Sequence, residues 1–214
     1  MRVEIWSDVA CPFCYVGKRS FEEAFRQFDN AEGTEVIWRS FQLGPGMPKE
    51  VKGDIYDVLA AKYGGTREQA IAMNLRVATL AEQVGLDCDF DSIKPTNTGD
   101  AHRLIHLATE AGRSDEAKEF LFEAYFRDGL NVSDHDVLRG IAQKLALDPA
   151  EVDDLLAGDR FASEVEHDQE QAHDLGIGAV PTFVFDRSSA VPGAQSTELL
   201  LDALNTAWSM RETT

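Results

Sequence analysis

The stretch Val3-Glu4-Ile5-Trp6-Ser7-Asp8-Val9-Ala10-Cys11-Pro12-Phe13-Cys14-Tyr15-Val16-Gly17-Lys18 decides how the chain is read. Residues 3–6 are dense in β-branched and aromatic side chains, which predicts a short strand. From Cys14 the apolar positions recur at Phe21, Phe25 and Phe28, the spacing of one helical face, and the pattern stops near Asn30 and Gly33. A Cys-Pro-Phe-Cys sequence therefore sits where a strand hands over to a helix. Pro12 suits the first helical position, where its missing N–H would be unpaired anyway. Cys11 then falls at the N-cap, where first-turn N–H groups and the positive end of the helix dipole favour an anion. The expectation is that Cys11 is a low-pKa attacking thiolate and that Cys14, one turn deeper, resolves the mixed disulfide.

Working outward, residues 34–43 (TEVIWRSFQL) predict a second strand, giving a β-α-β unit long enough for a parallel crossover. Gly44-Pro45-Gly46-Met47-Pro48 then breaks the pattern. Helical segments follow near 55–63, 67–84, 100–112, 115–127, 134–146, 149–157 and 160–175. Asp148-Pro149 with Glu151 supplies an N-cap, a first-turn proline and a capping carboxylate, and Ser133 with Asp136 reads as a weaker version. Strand signals return at 181–186 (PTFVFD) and at Ala190-Val191, before a final amphipathic helix from about Ser196 to Met210. Pro181 opens a strand after Val180; such a proline can be cis, and its missing N–H leaves the neighbouring backbone open to approach.

The chain has 214 residues and is 43% hydrophobic, enough to bury a core as one domain or as one domain carrying an insertion. Its net charge of -18 repels phosphate backbones and anionic lipid, so neither nucleic acid nor membrane is an expected partner. Neither an apolar run of membrane-spanning length nor an export signal is apparent, and three cysteines do not make a secreted disulfide scaffold. A soluble cytoplasmic protein is expected. Zinc would need four ligands, and there is no second Cys-x-x-Cys.

The element order β-α-β, helical block, α-β-β-α is that of an α/β, thioredoxin-like fold with a large all-helical insertion. Residues 1–46 and 159–214 would form the discontinuous thioredoxin-like domain and 47–158 the insertion. SDVACPFCYVGK, DGLNVSDHDVL and VPTFVFDRSSAVPGAQ resemble the FrnE-like branch of the DsbA family over essentially the whole chain. The resemblance implies a thiol-disulfide oxidoreductase or isomerase with Cys11 and Cys14 as its redox-active pair. Pro12 and Phe13 would shape the site, and Val180 and Pro181 would form the cis-proline corner that binds disulfide-containing protein or small thiol substrates. No tightly bound cofactor is implied, and a cellular thiol system would reset the pair. Periplasmic DsbA proteins have His between their cysteines and this chain has Pro12-Phe13, which implies a weaker oxidant. The same superfamily holds 2-hydroxychromene-2-carboxylate isomerases and kappa-class glutathione transferases, typically with Ser at the position of Cys11. By that likeness Gln195 and Ser196, opening the last helix, could contact glutathione as co-substrate; Ser196 also reads as a plain N-cap. A glutathione-dependent isomerase or transferase is the alternative enzyme, a client-binding holdase the non-enzymatic one. The oligomeric state, monomer or homodimer, stays open.

His102 and His106 lie four apart on a predicted helix, the spacing of a two-His metal face, but no third ligand is evident. They read as a packed pair on the inner face of the insertion, with a substrate-facing role as the other reading. Cys88 reads as a small semi-buried residue, Lys18 and Arg19 as solvated cations, and Trp6 as core or site edge.

Overall fold

The computed structural model describes residues 1–212; Thr213 and Thr214, the end of the 159–214 segment, lie outside them. Strand β1 (Arg2–Ser7) leads into helix α1 (Pro12–Gln27), and β2 (Glu35–Ser40) returns parallel to β1 with Ile5 opposite Trp38. Helices α2 (Ile55–Tyr63), α3 (Arg67–Gln83), α4 (Gly99–Glu110), α5 (Ser114–Phe122), α6 (His135–Lys144), α7 (Pro149–Ala157) and α8 (Ala162–Asp174) follow. Strands β3 (Thr182–Phe185) and β4 (Ser189–Pro192) and helix α9 (Thr197–Glu212) complete the order. The sheet runs β2-β1-β3-β4, with β3 antiparallel to β1 and β4 antiparallel to β3. This is the thioredoxin-like α/β fold with helices interposed between β2 and β3.

Every β1 residue after Arg2 is buried, because helices cover both faces of the sheet. The α1 stripe packs on α9 and on β3: the Phe21 ring stacks on Phe183 at 5.4 Å and Phe28 meets Trp208 edge-on at 6.0 Å. Burying these rings against several neighbours each contributes roughly 2–3 kcal/mol per side chain. A side chain at Gly17 would put its Cβ 2.9 Å from the Pro181 ring, so glycine at that position lets the corner before β3 press onto α1.

Three local expectations change. The second strand ends at Ser40 instead of Leu43, because the Leu43 N–H leaves the ladder and donates to the Asp8 carboxylate at 2.7 Å. The helix anticipated to 127 ends at Phe122 and continues as a wider π turn, 123–127. The cap of α6 is Asp134, which accepts from the Asp136 N–H, while the Ser133 hydroxyl donates to the Lys49 carbonyl. Asp148 and Pro149 start α7 as their residue types require, with the Ala150 N–H donating to Asp148 at 2.9 Å. No helix among the described residues is long and apolar enough to cross a membrane.

Candidate active site

Cys11 caps α1 from extended backbone, with Pro12 as the first helical residue, and the Cys14 and Tyr15 N–H groups donate to the Cys11 carbonyl. Both Cys11 and Cys14 are thiols here, and both are buried. The Cys11 thiol donates to the Val180 carbonyl at 3.5 Å, and the Val180–Pro181 peptide bond is cis. The first strand-helix junction and the start of β3 thus meet at one sulfur. That sulfur belongs to a residue lining a cavity of about 620 Å³, together with Pro12, Phe13, Gly178, Ala179 and Val180. The far wall comes from the interposed segment, with Ile55, Leu59, Met73 and Phe126 from its helical turns and Phe90 and Ile93 from the loop between α3 and α4. Of the two cysteines, Cys11 lines the cavity and Cys14 is not among the lining residues.

The expectation of a low-pKa Cys11 does not survive. Its side chain makes no capping hydrogen bond. The neighbouring Cys14 thiol, then burial, push the Cys11 pKa well above its ordinary value, and the Asp8 carboxylate adds to this. The Cys14 backbone N–H favours the thiolate but is outweighed. A helix terminus in a buried setting does not compensate for lost water.

Asp8 is the residue that the motif reading passed over. It is 1% exposed, and its carboxylate accepts from the Leu43 N–H, from Ala10 N–H at 3.4 Å and from His102, whose Nε2 lies 3.2 Å away. Burial pushes the Asp8 pKa up, but the His102 and Leu43 hydrogen bonds outweigh it and hold the group below the usual carboxylate value. Burial pulls the His102 pKa below its ordinary value, with Lys118 adding to the effect. His106, one turn on, faces a different acid: its Nε2 is 3.3 Å from Asp168 and 3.1 Å from the Ser40 hydroxyl. The two histidines therefore serve two separate carboxylates. Among the described residues no group of His, Cys, Asp and Glu is arranged to hold a metal.

Other residues fall differently from their sequence readings. Lys18 is buried and pairs with Asp115 at 3.2 Å, Glu119 at 3.1 Å and Glu22; Arg19 pairs with Glu22 and Glu119. They bind α1 to α5 and are not solvated cations. Trp6 is core, donating from Nε1 to the Asp168 carbonyl at 2.9 Å. Cys88 is half-buried, its pKa pushed up to about 11 by burial. Gln195 and Ser196 lie outside the cavity lining: the Gln195 amide donates to the Pro192 carbonyl, and the Ser196 hydroxyl accepts from the Leu199 N–H at 3.3 Å.

A dithiol at a helix start, facing a proline-led strand across a thioredoxin-like sheet, defines the class of thiol-disulfide enzymes. The sequence profile of the DSBA-like thioredoxin domain matches residues 2–205, and the chain belongs to that family. It is similar to a probable DsbA oxidoreductase from Streptomyces coelicolor, at 41% identity and a TM-score of 0.92 over 98% of this chain and 90% of that one. A 2-hydroxychromene-2-carboxylate isomerase shares the fold at 14% identity and TM-score 0.71, covering 100% of this chain and 98% of that one. The cytosolic disulfide reductase DsbM of Pseudomonas aeruginosa, solved also with glutathione, shares it at 17% identity and TM-score 0.64, with the same coverage. The protein is an enzyme of the disulfide oxidoreductase and isomerase kind.

Proposed function

We propose that the protein exchanges disulfides through Cys11 and Cys14, working as a reductant or isomerase on small or extended thiol substrates that enter the cavity. One observation carries this: Cys11, whose thiol donates to the Val180 carbonyl, lines an apolar cavity that Cys14 does not line. The Cys11 thiolate attacks a substrate sulfur, one substrate thiolate leaves, and Cys14 attacks the Cys11 sulfur to release the second. Two electrons pass from the pair to the substrate, and a cellular dithiol or glutathione restores them. Pro12 and Phe13 shape the mouth. The Val180 carbonyl, beside Pro181, holds an extended substrate by backbone hydrogen bonding. The Pro12-Phe13 dipeptide between the cysteines supports reduction or isomerisation over strong oxidation.

We place the activity in the cytoplasm, the compartment of the cytosolic disulfide reductase DsbM whose fold the chain shares. No tightly bound cofactor enters this scheme. Glutathione is proposed as co-substrate on the strength of the cavity and of the glutathione-bound DsbM structure, with Gln195 and Ser196 at the start of α9 as the further candidate contact. Changing Cys11 to Ser is expected to abolish dithiothreitol-linked insulin reduction; an unchanged rate overturns the reading. The second reading, a glutathione-dependent isomerase, is favoured by the size and apolarity of the cavity. It requires turnover with both cysteines replaced.

A further inference from the structure

Helix α5 carries a lysine that is buried without a carboxylate partner. Lys118 is 1% exposed, and its ammonium donates to the Ser7 carbonyl at 3.2 Å, the last residue of β1 before the loop to Cys11. It lies 5.5 Å from the centre of the Trp38 ring and 5.1 Å from that of Phe122. Among the described residues no carboxylate is within ion-pair distance of it, unlike Lys18, which has three. An ammonium has three donors, and a buried one without a counter-ion is costly. The charged or titratable groups that face it are Cys11 and Cys14 from the start of α1, Asp8 from the preceding loop, Lys18 from α1 and His102 from α4. Of these the Cys14 sulfur acts on it most strongly among the negative groups, and only the two sulfurs change charge during disulfide exchange.

We propose that Lys118 is a positioning residue that serves as counter-charge and proton store for the Cys11–Cys14 pair. The inference rests on the exchange reading of that pair. When an incoming dithiol reduces the Cys11–Cys14 bond, two electrons enter, the sulfur–sulfur bond breaks, and the incoming dithiol closes to its own disulfide. Of the two protons it gives up, one stays on a cysteine sulfur and the other goes to the Lys118 amine. The product is a thiolate, a thiol and an ammonium, with charge and protons balanced. In the forward direction the proton stored on Lys118 passes to the departing substrate thiolate. The neutral amine then takes the Cys14 proton as Cys14 attacks the Cys11 sulfur and gives it up to the second departing thiolate, which returns Lys118 to the amine from which the next reduction starts. The direction of the shift agrees with such a role: burial pulls the Lys118 pKa down to about 8, against the pull of both cysteines and Asp8, within reach of neutral pH. In the disulfide the cysteine contribution vanishes, so Lys118 releases its proton more readily when the pair is oxidised.

The test compares the wild-type chain with Lys118→Met. Following alkylation of the reduced pair by iodoacetamide against pH, the variant is expected to shift the midpoint up by about one unit. That shift corresponds to a roughly tenfold slower reaction near pH 7. An unchanged midpoint in the folded variant overturns the proposal, because a merely structural lysine would not move it. Should the variant fail to fold, the Lys118 ε-carbon NMR signal of the wild-type chain decides. Its midpoint is expected near 8 in the reduced protein and lower in the oxidised one. Equal midpoints overturn the proposal. A wild-type protein that reduces no insulin removes the exchange reading alone, since both measurements report on the dithiol without any substrate.

Discussion

Two buried carboxylates, Asp8 and Asp168, are built from nearly the same parts and end in opposite roles. Each is 1% exposed, each accepts a backbone N–H from the end of β2 or just past it, and each takes a histidine from consecutive turns of α4. They differ in what completes them. Asp168 has Arg39 at 3.1 Å, and Arg39 also grips Glu4 at 2.6 Å, with Arg187 on the other Glu4 oxygen at 2.7 Å. That cluster is charge-compensated, two carboxylates against two guanidiniums, and it fastens α8 to the sheet. Asp8 has no arginine. Its neighbours are His102 and, through space, Lys118 and the cysteine pair. A carboxylate without permanent compensation is sensitive to every proton and electron near it, which is the difference between a clamp and a part of the redox site.

The largest effect expected from this contrast comes from Asp8→Ala. It strands the Leu43 and Ala10 N–H groups and the His102 imidazole in the interior, costing about 4 kcal/mol, read from the urea midpoint. Asp168→Ala strands the Ser40 N–H and one arm of Arg39, which keeps Glu4, and should cost about 3 kcal/mol. The thiol titration separates them. Asp8→Asn removes a negative charge that raises the Cys11 pKa, so the alkylation midpoint should fall, by about half a unit. Asp168→Asn should leave that midpoint where it is. If the Asp168 variant moves the thiol midpoint as far as the Asp8 variant does, the division between clamp and redox site fails.

How much of this was legible beforehand follows from what each residue needs to be recognised. Cys11, Pro12 and Cys14 declare themselves by local spacing, and the α7 start by Asp148 and Pro149, because capping involves residues a few positions apart. The strands and helices were likewise readable from period and punctuation, up to ends such as Ser40, where a tertiary bond from Leu43 to Asp8 redirects the chain. The chemistry around the sulfurs was not. Asp8 stood in plain view within the motif, yet its burial depends on His102 and Leu43 arriving from elsewhere. Lys118 has no sequence signal at all, since an α5 lysine looks the same whether it meets water or Trp38. The Cys11 acidity failed for the same reason: the helix start is local information, burial is not. Lys18 and Arg19 were misjudged because acids on α5 are invisible from α1.

The smallest effect in the contrast is carried by the histidines and by pH. The His102 pKa lies below the ordinary 6.5 and that of Asp8 below the ordinary 3.8, so on acidification the unfolded chain takes up protons before the folded one at both groups. Their contribution to stability is therefore full above about pH 6.5. It drains first through the histidine and, below about pH 4, through the carboxylate. His102→Gln should remove the first of these steps, flattening the stability curve between pH 7 and 5 while lowering its plateau by about 2 kcal/mol for a buried partner lost to Asp8. His106→Gln should cost about 1 kcal/mol, since His106 is partly exposed and Asp168 retains Arg39 and Ser40. Urea midpoints at pH 5 and 7 for the two variants check this. A His102 variant whose curve keeps the slope of the wild type would assign the acid sensitivity elsewhere and reduce the two carboxylates to the same kind of clamp.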